Sequence, residues 1–157
     1  MRRRLGFKGG FALTEIIIAV AFLAVAGLIL MQMFISSRYA SIKAADVDEA
    51  NSRAQAVAEI IKSGVEPQDI VFEDLGRAEA DGDVYTFSYD KVWFPCKRSE
   101  AAYVMTIEVE TEQREGGSMS RFDIRTCTLK PYPLDEKPFD LVAFSVARYT
   151  PATVEVS

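Results

Sequence analysis

Histidine is missing from all 157 residues. That removes histidine-based general acid–base chemistry, the Ser-His-Asp triad and the commonest metal ligand. Ser36, Ser37, Ser99 and Ser118 stand in no G-x-S-x-G context, so no hydrolase nucleophile is marked out. Neither an enzymatic role nor a cofactor is expected from such a chain. Basic charge is scarce outside the first ten residues. Those ten hold Arg2, Arg3, Arg4 and Lys8 with no acid, which leaves 14 bases against 23 acids, a net charge of −9, in everything that follows. An acidic body lacks the clustered Lys and Arg that neutralise phosphates, which argues against nucleic acid as a partner. Length allows one globular domain of ordinary size once a membrane segment is set aside.

What is present is a long apolar run. Phe11 to Ile35, FALTEIIIAVAFLAVAGLILMQMFI, contains only Thr14, Glu15 and Gln32 as clearly polar residues. As a helix rising about 1.5 Å per residue it reaches roughly 37 Å, enough to cross a hydrocarbon core of about 30 Å. It exceeds the apolar core of a secretory signal peptide, and the polar run SSRYASIKAADVDEANSR follows with no clear signal-peptidase site, so residues 11–35 are read as a retained anchor. The positive charges before it hold the N-terminus in the cytoplasm and place the acidic body outside. The expectation is a single-pass inner-membrane protein with an extracytoplasmic C-terminal domain.

Glu15 breaks the apolar pattern. An unpaired carboxylate at that depth costs on the order of 3 kcal/mol or takes up a proton, unless it sits at a helix end near the headgroups. Its neighbours sharpen the reading. Gly9-Gly10 followed by Phe11-Ala12-Leu13-Thr14-Glu15, after a short basic leader and before some twenty apolar residues, resembles the N-terminal signal of type IV prepilins. The resemblance implies that a prepilin peptidase removes the leader, residues 1–10, by cutting after Gly10, and methylates the new N-terminus at Phe11. It implies that Glu15 then pairs with the N-terminal amine of a neighbouring pilin subunit, an ion pair better suited to setting register than to adding stability. It also implies an inner-membrane assembly platform as partner, with membrane lipid surrounding the helix before assembly. Ala12 stands where Thr or Ser is usual, and Thr14 stands where an aliphatic residue is frequent. The proline of many major pilins is missing, leaving Gly27 as the only helix-weakening residue in the run. These departures favour a minor pilin of a type IV or competence pilus. A type II secretion pseudopilin comes second, and a bitopic membrane protein whose acidic domain binds a ligand is the reading from a different class.

The helical pattern continues beyond the anchor. Val47, Ala50, Ala54, Val57, Ala58 and Ile61 recur at spacings of three and four, which predicts an amphipathic half over residues 36–63. Ser63-Gly64 and Pro67 end it. Residues 64–157 read as the globular domain. Tyr85, Phe87 and Tyr89 alternate, as do Tyr103, Met105, Ile107 and Val109. EQREGGS signals a hairpin loop, a return strand covers Ser120 to Leu129, and further strands fall at Phe139 to Tyr149 and Thr153 to Val156. The expected fold is α+β, a long N-terminal helix packed on an antiparallel β-meander, the arrangement that the pilin-like fold implies.

Cys96 and Cys127 face an oxidising compartment on this topology, so a disulfide is expected, with two buried free thiols as the alternative. Glu79, Asp81 and Asp83 are the nearest thing to a calcium loop, but DGD before a strand is ordinary turn chemistry and no metal site is assigned. Trp93 and Phe94 are read as packing aromatics beside Cys96, with exposed partner contacts as the other reading.

Overall fold

The computed structural model describes residues 9–133, 135 and 137–152, with side chains from residue 13 onward except that of Phe72. Residues 1–8 of the expected leader, residues 1–10, and the expected last strand at 153–156 lie outside the described residues. The chain divides into two units, Met1–Ser41 and Ile42–Ser157.

The first unit is helical throughout its described length, as the first part of helix α1, Gly9–Lys62. No proline interrupts this helix, and Gly27 has open space around its Cα. The large apolar side chains point outward without cover: Leu13, Phe22 and Phe34 are 65%, 76% and 71% exposed. The run is long and apolar enough to cross a membrane, with a mean hydropathy of 2.7 in its most apolar window.

In the second unit the remainder of α1 packs on a sheet. Ala50, Ala54, Val57 and Ile61 are fully buried, at the helical spacing seen in the sequence. After a short 3-10 turn at Pro67–Asp69, a two-stranded ribbon pairs β1, Val71–Phe72, with β2, Gly76–Arg77. The main sheet has five antiparallel strands in sequence order: β3, Glu79–Asp81; β4, Val84–Tyr89; β5, Tyr103–Arg114; β6, Gly117–Thr128; and β7, Asp140–Pro151. Phe87, Tyr89, Met105, Ile107, Phe122, Ile124, Leu141 and Val146 form one core with the helix face. Burying apolar area of this kind is what stabilises a lone helix against a sheet.

An α+β meander against an N-terminal helix is therefore present. The β5–β6 hairpin is longer than its sequence implied, because Glu112, Gln113 and Arg114 continue β5 and the turn is only Glu115-Gly116. Residues 110–114 are exposed, so their alternation carries no burial signal; the ladder to β6 holds them instead. Gly116 supplies the positive φ of 90° that the tight turn needs, and a Cβ at Gly117 would lie 2.3 Å from the Thr150 carbonyl oxygen.

Candidate functional site

The expected processing residues lie at the start of α1, where the backbone at Gly10 and Phe11 is already helical. Glu15 is one turn further on, about 6 Å along the axis from Phe11 at helical rise, and is exposed. From Ile16 to Ser37 no ionisable side chain occurs. One carboxylate thus stands at the head of twenty-two uncharged residues on a continuous helix, a position that demands either a headgroup or a cationic partner.

In the second unit polar chemistry concentrates where α1 meets three segments distant in sequence. Asp46 accepts from Trp93 Nε1 at 3.3 Å through Oδ1, and from the Tyr103 and Tyr132 hydroxyls at 2.9 and 2.7 Å through Oδ2. Burial pushes both tyrosines well above their ordinary range, and the Asp46 carboxylate adds to this because a tyrosinate would face it. Lys43 pairs with Asp135 at 2.9 Å and sits 3.7 Å from the Phe139 ring centroid. Arg53 binds Glu49 at 2.8 Å and lies over the rings of Tyr89 and Trp93. At the other end of this stretch Arg148 donates to the Ile61 carbonyl at 2.9 Å and pairs with Glu66, satisfying a helix C-terminus from β7. These groups fasten the helix to the sheet; none of them is an unpaired nucleophile or base.

The cysteine expectation is corrected. Both thiols are free. Cys96 N donates to Ser88 O at the outer edge of β4, Ser88 is paired with Val104, and Val104 with Cys127. Three strand spacings therefore separate the cysteines, roughly 14 Å, whereas a disulfide requires Cα atoms within about 7 Å. Burial holds both thiols above their ordinary range, with Asp90 and Asp140 adding to this at Cys96 and Cys127 respectively. Their spacing in sequence carried no information about the two strands between them.

The aromatic pair is also divided. Trp93 is buried and stacked on Tyr103, centroids 4.2 Å apart and planes within 8°, as the packing reading expected. Phe94 points outward and is 67% exposed. Glu79 and Asp81 belong to β3, and Asp83 follows the Gly82 turn; among the described residues no cluster of three metal-ligating side chains occurs. The sequence missed Asp46 as the hub of this arrangement. An acid on the buried side of an amphipathic helix, in register with Val47 and Ala50, was the available signal.

No protein-family model, no curated protein and no solved structure matches the chain.

Proposed function

We propose that the chain is a filament subunit of the type IV pilin class, a minor pilin, made as a prepilin and held in the inner membrane by α1 until an assembly platform extracts it. The observation that carries this reading is the Glu15 carboxylate at the head of an uninterrupted, uncovered apolar helix, directly after Gly9-Gly10. In a filament, neighbouring helices replace lipid around that helix, and the amine freed at Phe11 neutralises Glu15 of an adjoining subunit. The role is mechanical, so the surroundings of the helix change while its own hydrogen bonds stay intact. A type II secretion pseudopilin uses the same parts, and complementation of deletion strains in the two systems separates the readings.

The test is the intact mass and N-terminal sequence of membrane-extracted protein made with and without a prepilin peptidase. Loss of residues 1–10 with one methyl added at Phe11, abolished by Gly10→Val, is the expected result. An intact N-terminus in the presence of active peptidase overturns the proposal.

A further inference from the structure

The register of the sheet brings two connections to one end. Tyr89 pairs with Tyr103, Tyr103 with Thr128, and Cys127 with Asp140, so the β4–β5 connection, residues 90–102, and the β6–β7 connection, residues 129–139, emerge side by side near Asp46. The first is built to hold a fixed shape. Asp90 Oδ1 accepts from the backbone N–H groups of Val92 and Phe94, both at 2.9 Å, and Asp90 N donates to Phe94 O at 2.9 Å. Trp93, between them, adopts the left-handed region at φ 65°, an uncommon conformation for a bulky residue that the Asp46 bond and the Tyr103 stack maintain. Trp93 is turned inward, while Val92 and Phe94 are turned out, 68% and 67% exposed. No other large apolar side chain described after Ser41 is as exposed. Leu129 and Phe139 add partly exposed apolar surface from the neighbouring connection.

Charge follows the same division. These two connections carry Lys91, Lys97, Arg98, Lys130 and Lys137, all exposed. Against them stand four acids, Asp90, Glu100, Asp135 and Glu136, of which Asp90 is engaged in its own turn and Asp135 is paired with Lys43, so the two connections together carry a net charge of +1. The opposite end of the sheet, at the β3–β4 and β5–β6 turns, holds Asp81, Asp83, Glu112 and Glu115 against Arg114. An anionic surface therefore meets a net charge of +1 at this end, five bases against four acids, and of −3 at the other, one base against four acids. Rigid apolar side chains flanked by lysines and arginine are what an anionic lipid interface accepts, the apolar groups entering the acyl boundary and the cations meeting headgroups.

From this we infer that Val92 and Phe94, with the surrounding lysines and Arg98, form a contact site for the anionic lipid surface of the membrane that α1 spans. The inference rests on the membrane-anchored reading of α1. Trp93 is fastened to Asp46, eleven residues beyond Ile35, so at full extension of about 3.6 Å per residue Asp46 itself stays within roughly 40 Å of the bilayer at any angle, with the tip held beside it. Tethering at that range gives the lipid surface a standing local concentration that no free partner matches. The contact is one that extraction into a filament has to break.

Trp93 is the only tryptophan in the chain and lies between the two exposed residues, which makes it a native probe. The full chain is reconstituted in phosphatidylglycerol-rich vesicles whose acyl chains are brominated close to the headgroup, with flotation as an independent readout of anchoring. The expected result is quenching of Trp93 emission, loss of that quenching in Val92→Ser/Phe94→Ser at an unchanged unfolding midpoint, and weaker quenching in Lys91→Glu/Lys97→Glu. Unquenched emission in protein that floats overturns this inference and leaves the anchored reading intact. Protein that fails to float overturns both. Quenching retained in the serine variant, or an emission change that follows protein-to-lipid ratio without bromine and so reports a second copy, also overturns it.

Discussion

Helix α1 poses one geometry to two surroundings. Between Leu13 and Ile35 its apolar side chains go all the way round and are uncovered; between Ala50 and Ile61 they occupy one stripe and reach zero exposure, with Glu49, Arg53 and Glu59 on the remaining sides. The backbone satisfies itself in both stretches, so the difference lies wholly in the side chains. A helix apolar on every side belongs in a solvent that is itself apolar, and a striped one belongs against a sheet.

The comparison breaks most sharply with a matched pair of substitutions. Ala54→Asp places a charge at a fully buried site and is expected to lower the unfolding free energy of the domain by about 4 kcal/mol or more. Ala24→Asp is expected to leave domain unfolding unchanged and to disfavour membrane insertion by about 3 kcal/mol. Denaturant unfolding and membrane fractionation read the two effects. Next in size is Asp46→Ala, which strands the Trp93 indole N–H and two tyrosine hydroxyls on the docked half only. A loss of about 2 to 3 kcal/mol is expected by denaturant titration, together with a change in near-ultraviolet dichroism from the Trp93–Tyr103 stack.

A smaller and purely electrostatic effect comes with alkali. Tyr89, Tyr103 and Tyr132 have their folded-state pKa values raised above the ordinary 10.0, chiefly by burial. Groups that hold protons more tightly when folded contribute their full stability below the unfolded value and lose it as pH rises beyond, so the domain is expected to weaken progressively above about pH 10. Tyrosine absorbance should then rise together with the loss of Trp93 burial. The smallest expected effect is none at all. Because the thiols lie on opposite sides of β4 and β5, a reductant should leave the thermal midpoint unmoved and thiol titration of unfolded protein should find two groups; a reductant-sensitive midpoint would restore the disulfide.

Much of this architecture was legible because burial leaves a period. The stripe Val47, Ala50, Ala54, Val57, Ala58, Ile61 located the docked half, and alternation located β4 and the buried half of β5. Where burial ends, the period ends too: the outer half of β5 and the short strands β1, β2 and β3 are held by ladder hydrogen bonds that any residue with an N–H can make. The cysteines and Asp46 were illegible for a different reason. Their partners are decided by strand order and register, which sequence spacing does not encode. The Val92–Phe94 tip was half legible: an aromatic run was visible, but which ring turned inward depended on the Asp90 turn.

The fastening of α1 has a temporal side. Its anchors Tyr132 and Arg148, and its core partners Phe122 and Val146, come some sixty to a hundred residues after the stripe they meet. Synthesis proceeds from the N-terminus, so the stripe leaves the ribosome well before these later partners exist. The β5–β6 hairpin closes locally, but the core over the stripe is completed only when Leu141 and Val146 of β7 arrive, and until then part of that apolar face is left to water, lipid or a chaperone.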